Sequence, residues 1–332
     1  MSHTSMRKIK AAVIGGGAFG ECHFKIYASM PQVELAGLYT LEKDRGEALC
    51  RKYGGRLYSG LAELANDASI DVVSIATPEN AHFESFKVLA EKKKAIYVEK
   101  PLATSLDEAK QMLDLSRSII AMCGHCLRFE SRLAHVFQQQ SQLGKLHHMS
   151  FKDRRPRQQK ALYGRVHPAF VMLCHEIELA NAFAGVPFKR VCALESKFSE
   201  GQVDGITILI EYENGATCMI EGGWYLPTQG SLEENDLIAL DFEKGTYTIA
   251  MPHSGFNFLG PDGSRFINQN YEHTIYGMEF GALRTAMEYL MNCIVTRTQP
   301  KISTIEDGYN AVCLAHAAVE SARAGKWINR GN

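Results

Sequence analysis

The chain lacks a charge imbalance: 36 lysines and arginines stand against 37 aspartates and glutamates, a formal net charge of -1 over 332 residues. Nucleic acid or an anionic membrane is held by a one-signed basic field, so neither is an expected partner. There is no apolar run of about 18 residues, the length that spans a bilayer, and no basic-then-apolar leader. A cytoplasmic protein is the expectation. Nor is there a disulfide framework, because nine cysteines are an odd number and lie scattered from Cys22 to Cys313; they fit a reducing compartment. Cys123 and Cys126 in MCGHC have C-x-x-C spacing. A redox pair of that kind wants its first sulfur at a helix N-terminus in a thioredoxin-like unit, whereas this one follows the apolar run Ser118 to Met122. A zinc site would need a second ligand pair, and no metal is expected.

What is present is the composition of a globular protein, 45% apolar and 22% charged, with length enough for two domains. The N-terminal half alternates. Lys8 to Gly15 (KIKAAVIG) is a compact apolar strand, followed at once by GGGAFG and a helix-compatible run from Glu21 to Ser29. Gly15, Gly17 and Gly20 therefore satisfy G-x-G-x-x-G between strand and helix. The first glycine permits the turn, the second lets backbone approach a pyrophosphate, and the third lets helix and strand pack. With Ala18 and Phe19 they open a helix whose N–H groups and dipole favour phosphate. Further strands are expected at Val33 to Tyr39, Asp71 to Ala76, Ala95 to Val98 and Ile119 to Cys123. Helices are expected at Glu42 to Tyr53, Glu79 to Lys92 and Leu106 to Ser116, the last opened by a Ser105/Glu108 capping box. This alternation argues for a parallel sheet covered on both faces, with ligands at the carboxyl ends of its strands. Ala76-Thr77-Pro78 and Glu99-Lys100-Pro101 both fall at such ends.

A second absence bears on the cofactor. The strand after the glycines ordinarily ends in an acid that holds the ribose hydroxyls of NAD. Here the aligned position in YTLEKDR is Thr40. Without that carboxylate a 2′-phosphate is not repelled, and Lys43 or Arg45 could reach it, so a weak preference for NADP over NAD is expected. Lys43 and Arg45 serve equally well as residues that merely solvate a helix start.

GGGAFG, ATPENAHFE (Ala76 to Glu84), EKPLA (Glu99 to Ala103) and GHCLRF (Gly124 to Phe129), in this order and spacing, resemble the glucose-fructose oxidoreductase and inositol dehydrogenase family, Gfo/Idh/MocA. The closing STIEDGYNAVCLAHAAVESARAGKWI agrees. The resemblance implies an α/β Rossmann domain, taken as residues 1–127, and an α+β domain with a large open, mostly antiparallel sheet, taken as 128–332, whose closing helix packs back on the first. It also implies NAD(P)-dependent hydride transfer to or from a secondary alcohol or ketone of a sugar, polyol or sugar derivative. Its chemistry would rest on the lysine of EKP and a helical histidine, here Lys100 and His175. By the same resemblance His82, Glu99 and Arg128 join the cofactor residues. The alternative is a catalytically silent NAD(P)-binding regulator of the same fold, as some members are.

The second half supports the implied fold by itself. Val191 to Gly223 and Leu237 to Met251 are strand-like and broken by the turns ENG and EKG (Glu213 to Gly215, Glu243 to Gly245). Long helices are expected at Ala169 to Phe183, Met278 to Thr296 and Ile305 to Ala324. A lysine at a strand end can bind a sugar hydroxyl and polarise a developing carbonyl. A histidine that titrates near neutrality can exchange the hydroxyl proton, and Glu178, one turn along, could orient His175. The stretch Arg154 to His167, with Tyr163 and Arg165, is a basic connector that could close over a sugar or sugar phosphate, or simply a solvated loop. Trp224 could stack on a sugar face or pack in a core. A final absence concerns substrate. Many sugar dehydrogenases of the family carry an aspartate four residues before the histidine; here Val171 stands there. A less polar site is expected, with His167 or Arg165 taking over, or else Glu176 or Glu178. Such open sheets are often covered by a second copy, so a homodimer or homotetramer is expected.

Overall fold

A computed structural model describes residues 7–198, 201–228, 234–251, 257–260, 263–266 and 273–331. The chain separates into two compact units, Met1–Cys126 with Glu272–Tyr309, and Leu127–Tyr271 with Asn310–Asn332.

The first unit begins with β1 (Ile9–Ile14), α1 (Ala18–Ser29), β2 (Val33–Tyr39), α2 (Lys43–Tyr53), β3 (Arg56–Leu57), α3 (Leu61–Asn66), β4 (Val72–Ile75), α4 (His82–Glu91), β5 (Ala95–Val98), α5 (Leu106–Ser116) and β6 (Ala121–Cys123); the alternation is as expected, and the short β3 and α3 are additions to it. The strands form one parallel sheet in the order β3-β2-β1-β4-β5-β6. Every residue of β4, β5 and β6 is buried, as strands covered on both faces require. Helix α5 is capped as its sequence predicts, the Ser105 hydroxyl accepting from the Glu108 amide at 3.4 Å. The switch between β1 and β4 puts the carboxyl ends of β1, β4 and β5 side by side. Those ends carry the glycines, Ala76-Thr77-Pro78 and Glu99-Lys100-Pro101.

The second unit contains α6 (Ser131–Gln139), β7 (Leu146–Pro156), α7 (Lys160–Tyr163), α8 (Pro168–Val171), α9 (Cys174–Ala184), β8 (Phe188–Ser196), β9 (Gly205–Tyr212), β10 (Thr217–Leu226), β11 (Asn235–Phe242), β12 (Gly245–Met251), β13 (Asn257–Gly260) and β14 (Gly263–Phe266). β15 (His273–Ile275), β16 (Met278–Phe280) and α10 (Ala282–Thr296) follow, then α11 (Ile305–Ala324) and β17 (Ile328–Asn329). The large sheet runs β12-β11-β7-β10-β9-β8-β17. It is antiparallel except where β7 pairs with β10.

Three expectations change. The basic stretch from Arg154 is not simply a connector: its first residues complete β7, an inner strand of the sheet. The single helix expected from Ala169 to Phe183 is two, α8 and α9. The break comes where the amides of Met172 and Leu173 both donate to the Pro168 carbonyl at 3.0 Å. The division at residue 127 assigned 272–309 to the second domain, whereas β15, β16 and α10 cluster with the first. Lys25 pairs with Glu279 at 3.0 Å, Arg284 donates to the Ser29 hydroxyl at 2.9 Å, and the Cys123 amide donates to the Ser303 carbonyl at 2.9 Å.

Candidate active site

In the first unit the glycine loop is shaped by its neighbours. Gly15 has φ +108 and lies so close to the next loop that a Cβ would fall 2.4 Å from the Ala76 carbonyl oxygen; at Gly20 it would fall 2.0 Å from the Gly15 carbonyl oxygen. At Gly17 a Cβ would meet nothing within 4 Å. The first and third glycines are thus needed by the protein's own packing, and the second faces open space where backbone is available to a ligand. Gly17 is the N-cap of α1 and has no side-chain cap, so the helix presents uncapped N–H groups beside Ala18 and Phe19. Across the adjoining turn the Thr77 hydroxyl is buried with no hydrogen-bond partner among the described residues. A buried unsatisfied hydroxyl is costly, and one at the carboxyl end of β4 fits a ligand that supplies its partner. Open glycine, uncapped helix and waiting hydroxyl all suit a dinucleotide.

At the rim, Thr40 touches the loop, since a Cβ on Gly16 would lie 2.9 Å from its Oγ1. Arg45 is not free to reach out: its Nε donates to the Gly16 carbonyl and its Nη2 pairs with Glu21 at 3.2 Å. Lys43 is exposed and reaches Glu47 at 4.0 Å.

Glu99 and His82 are held by contacts within the first unit. Glu99 is buried, its Oε1 2.9 Å from His23 Nε2 on α1 and its Oε2 accepting from the Lys100 amide at 3.2 Å. The carboxylate ties the end of β5 to the glycine helix and fixes the backbone of Lys100, whose peptide to Pro101 is cis. His82 lies between two loops, Nε2 3.0 Å from the Thr77 carbonyl and Nδ1 3.0 Å from that of Pro101. A neutral imidazole donates to only one of these acceptors. A second proton would serve the other, yet burial pushes the ring below the ordinary histidine range against the pull of the Thr77 carbonyl and the Glu99 charge. His82→Leu removes the one hydrogen bond that the neutral ring donates, and an expected cost of about 1–3 kcal/mol for the stranded carbonyl should appear as a lowered urea midpoint.

In the second unit the inner face of the sheet changes character along its length. Phe151, Ile220 and Ile238 are cross-strand neighbours and fully or almost fully buried. Two residues on, the neighbours are Asp153, Gly222 and Asp236. Arg155 reaches three carboxylates, Asp153 at 2.7 Å, Asp236 at 2.9 Å, and Glu234. Asp236 is pushed well above the ordinary carboxylate range by burial and then by the Asp153 charge; the Glu176 charge acts in the same direction and Arg155 opposes them. The space that Gly222 leaves is taken by Leu173, directly before α9, which carries His175 and Glu176 in its first turn. Trp224 is buried with its indole N–H unpartnered among the described residues, and the Tyr163 ring lies parallel to it, centroids 6.4 Å apart. In this unit the acids Asp153 and Asp236 and the parallel Tyr163 and Trp224 rings thus follow the apolar row, and Val171 is buried. The sequence carried a faint signal: Met149, Phe151, Asp153 and Arg155 keep one alternating phase, so the charges continue an inward-facing row.

Other expected residues are otherwise employed. His167 caps α8, its Nδ1 accepting from the Ala169 amide at 3.1 Å, and its Nε2 lies 3.2 Å from Glu195. A neutral ring suits both contacts, and burial holds it below the usual histidine range, the Glu195 hydrogen bond opposing. Arg165 is exposed and donates to the Leu162 carbonyl. Glu178 pairs with Arg128 at 2.8 Å, whose guanidinium lies 4.3 Å from the Phe137 ring centroid. This pair, Arg128 expected at the cofactor and Glu178 at His175, braces α9 within its own unit. Lys160 pairs with Asp204 and Arg154 with Glu221 at 2.7 Å, so much of the basic charge offered for a sugar phosphate is already neutralised. Cys123 and Cys126 are buried, unlike an attacking thiolate. Among the described residues no side-chain group is arranged to hold a metal, and no helix is long and apolar enough to cross a membrane.

Comparison with known proteins follows the same division. A family model described as "Oxidoreductase family, NAD-binding Rossmann fold" matches residues 9–125, and one described as "Oxidoreductase family, C-terminal alpha/beta domain" matches 140–329. The scyllo-inositol 2-dehydrogenase (NAD(+)) of Bacillus subtilis (strain 168) is 25% identical over 336 residues, covering 96% of this chain and 95% of the relative. An uncharacterized oxidoreductase of the same organism is 25% identical over 65% of this chain and 67% of its own length. Among solved structures, GenD2 from gentamicin A biosynthesis in complex with NAD superposes with TM-score 0.84 at 20% identity, over 100% of this chain and 98% of that one. The scyllo-inositol dehydrogenase from Lactobacillus casei with bound NAD(H) and scyllo-inositol gives 0.81 at 17%, over 97% and 99%. At these identities the structural matches speak to the fold alone.

Proposed function

Since the chain belongs to the Gfo/Idh/MocA family of NAD-binding oxidoreductases, we propose that it moves hydride between NAD(P) and a secondary alcohol or ketone on a sugar, polyol or sugar derivative. The observation that carries this reading is the open face of Gly17 beside the buried Thr77 hydroxyl, next to the turn that holds Lys100. Bound there, the nicotinamide would supply the hydride donor or acceptor. Gly15, Gly17, Ala18, Phe19 and Gly20 would hold the pyrophosphate, Thr40 the ribose, and Ala76, Thr77 and Pro78 the nicotinamide end. Lys100 binds the reacting oxygen and stabilises the charge that develops on it. His175 takes or returns the hydroxyl proton, while Trp224 and Tyr163 offer aromatic surface to the sugar ring.

The substrate class rests on chemistry. The Tyr163 and Trp224 rings suit the apolar face of a sugar or polyol ring, and a scyllo-inositol 2-dehydrogenase is among the relatives. A panel of inositols, free sugars, amino sugars and nucleotide-linked sugars, assayed with NAD and NADP by absorbance of the reduced cofactor, tests it. Substrate-dependent turnover with at least one polyol or sugar is expected. Cofactor binding without turnover on any of them would favour the silent regulator.

For the cofactor, Thr40 offers no carboxylate to repel a 2′-phosphate, so both cofactors are accepted with a weak preference for NADP. Fluorescence titration of NADH and NADPH measures this. NADH binding about tenfold tighter, roughly 1.4 kcal/mol, would contradict it, and Thr40→Asp is expected to move preference to NAD. Nine cysteines, an odd number scattered along the chain, support a reducing, cytoplasmic setting. The face of the large sheet opposite Phe151 exposes Leu194, Leu209 and Leu237, an apolar surface suited to a second copy in a homodimer or homotetramer; light scattering reads the mass.

A further inference from the structure

β2 ends without a carboxylate, yet one stands at the same rim, delivered by a different element. Glu21 lies in the first turn of α1. Its Oε1 accepts from Lys52 and from the Tyr53 hydroxyl, both at 3.0 Å, and its Oε2 pairs with Arg45 at 3.2 Å. Arg45 in turn donates to the Gly16 carbonyl, and Gly16 is the loop residue against which Thr40 packs. The one guanidinium beside Thr40 among the described contacts is thus held by two acceptors, a carbonyl of the phosphate loop and a carboxylate.

We propose that Glu21 is a specificity-determining residue for the nucleotide: it occupies Arg45 and supplies beside Thr40 the negative charge that β2 lacks, restraining a cofactor that bears a 2′-phosphate. This rests on the NAD(P) reading above. A phosphate next to Thr40 meets Arg45 already shared with Glu21, and it gains a charge-assisted bond only in competition with that carboxylate. The Lys52 hydrogen bond is the largest influence on Glu21 and, against the effect of partial burial, holds its carboxyl below the usual range, so the competitor is ionised at neutral pH. An adenosine ribose with a free 2′-hydroxyl carries no charge there and is indifferent to the competition. Glu21 thereby turns a loop open to both cofactors into one whose taste for NADP stays weak.

The test is titration of NADH and NADPH by fluorescence at low ionic strength, where exposed charges are least screened. Glu21→Gln keeps the shape and removes the charge; it is expected to tighten NADPH by about tenfold, as for one gained hydrogen bond to a charged group, with NADH nearly unchanged. Asp114→Asn removes an equal charge from α5, where Asp114 pairs with Lys110 and Arg117, and is expected to leave the NADPH to NADH ratio as it was. In the Glu21→Gln protein, adding Arg45→Leu should abolish the gain. Unmoved NADPH affinity in Glu21→Gln overturns the proposal, as does an equal gain in Asp114→Asn or survival of the gain without Arg45. Failure of the wild type to bind either cofactor would sink the NAD(P) reading itself, which NADH binding by the wild type keeps separate.

Discussion

Lys100→Met is expected to abolish turnover on an identified substrate while NAD(P) affinity stays within a few-fold. The lysine follows β5 in a turn whose backbone is held by its neighbour: Glu99 accepts the Lys100 amide at 3.2 Å and is itself fixed to His23 at 2.9 Å. Met keeps the length and apolar stem and deletes the ammonium, so lost rate reports the charge on the reacting oxygen and not a displaced loop. His175→Ala should lose about 10²–10⁴-fold in rate, the range of an acid-base group. Single-turnover rates, alongside cofactor titration, separate lost chemistry from lost binding. Near-normal rates in both variants would overturn the assignment.

Arg155→Met is expected to destabilise the second unit by about 3–5 kcal/mol, because removing the cation of a buried ion cluster strands the carboxylates it served. Asp153 and Asp236 stand opposite each other across the β7–β11 ladder and are only 2% and 4% exposed, so neither can turn to water. Burial first, then the Asp153 charge, keeps Asp236 protonated to a higher pH than an ordinary carboxyl, against the pull of Arg155. In the unfolded chain Asp236 gives up its proton sooner. Between the two pKa values the unfolded state therefore binds fewer protons, and stability falls as pH rises. This contribution is complete below the unfolded pKa and lost as pH climbs through the folded one. Arg155→Met removes the pull that restrains the folded value and should extend the decline to higher pH. Asp236→Asn should flatten it, and the double variant should recover part of the loss. Urea unfolding of the four proteins from the carboxylate range to neutrality gives the comparison. A wild-type midpoint in Arg155→Met would mean that the carboxylates are solvated.

The sequence by itself determined five of the six strands in the first unit's sheet, the glycine loop and the positions of both strand-end turns, because these are encoded by local periods: short apolar strands, helices between them, and glycines two and three residues apart. It also indicated an open sheet in the second half from short alternating runs and turns. Tertiary structure alone decided what the charged residues are bound to. Glu99 meets His23 across 76 residues, and Arg155 meets Asp236 across 81; no periodicity reports on partners brought together by sheet order. For the same reason His82 and His167, which read as ligand groups in one dimension, turned out to have carbonyls, an amide and Glu195 at their ring nitrogens. Leu173, in the break between α8 and α9, takes the room that Gly222 leaves, a contact 49 positions away in the chain. Burial makes such polar partnerships obligatory, since a buried charge or donor must be answered by whatever the fold brings near.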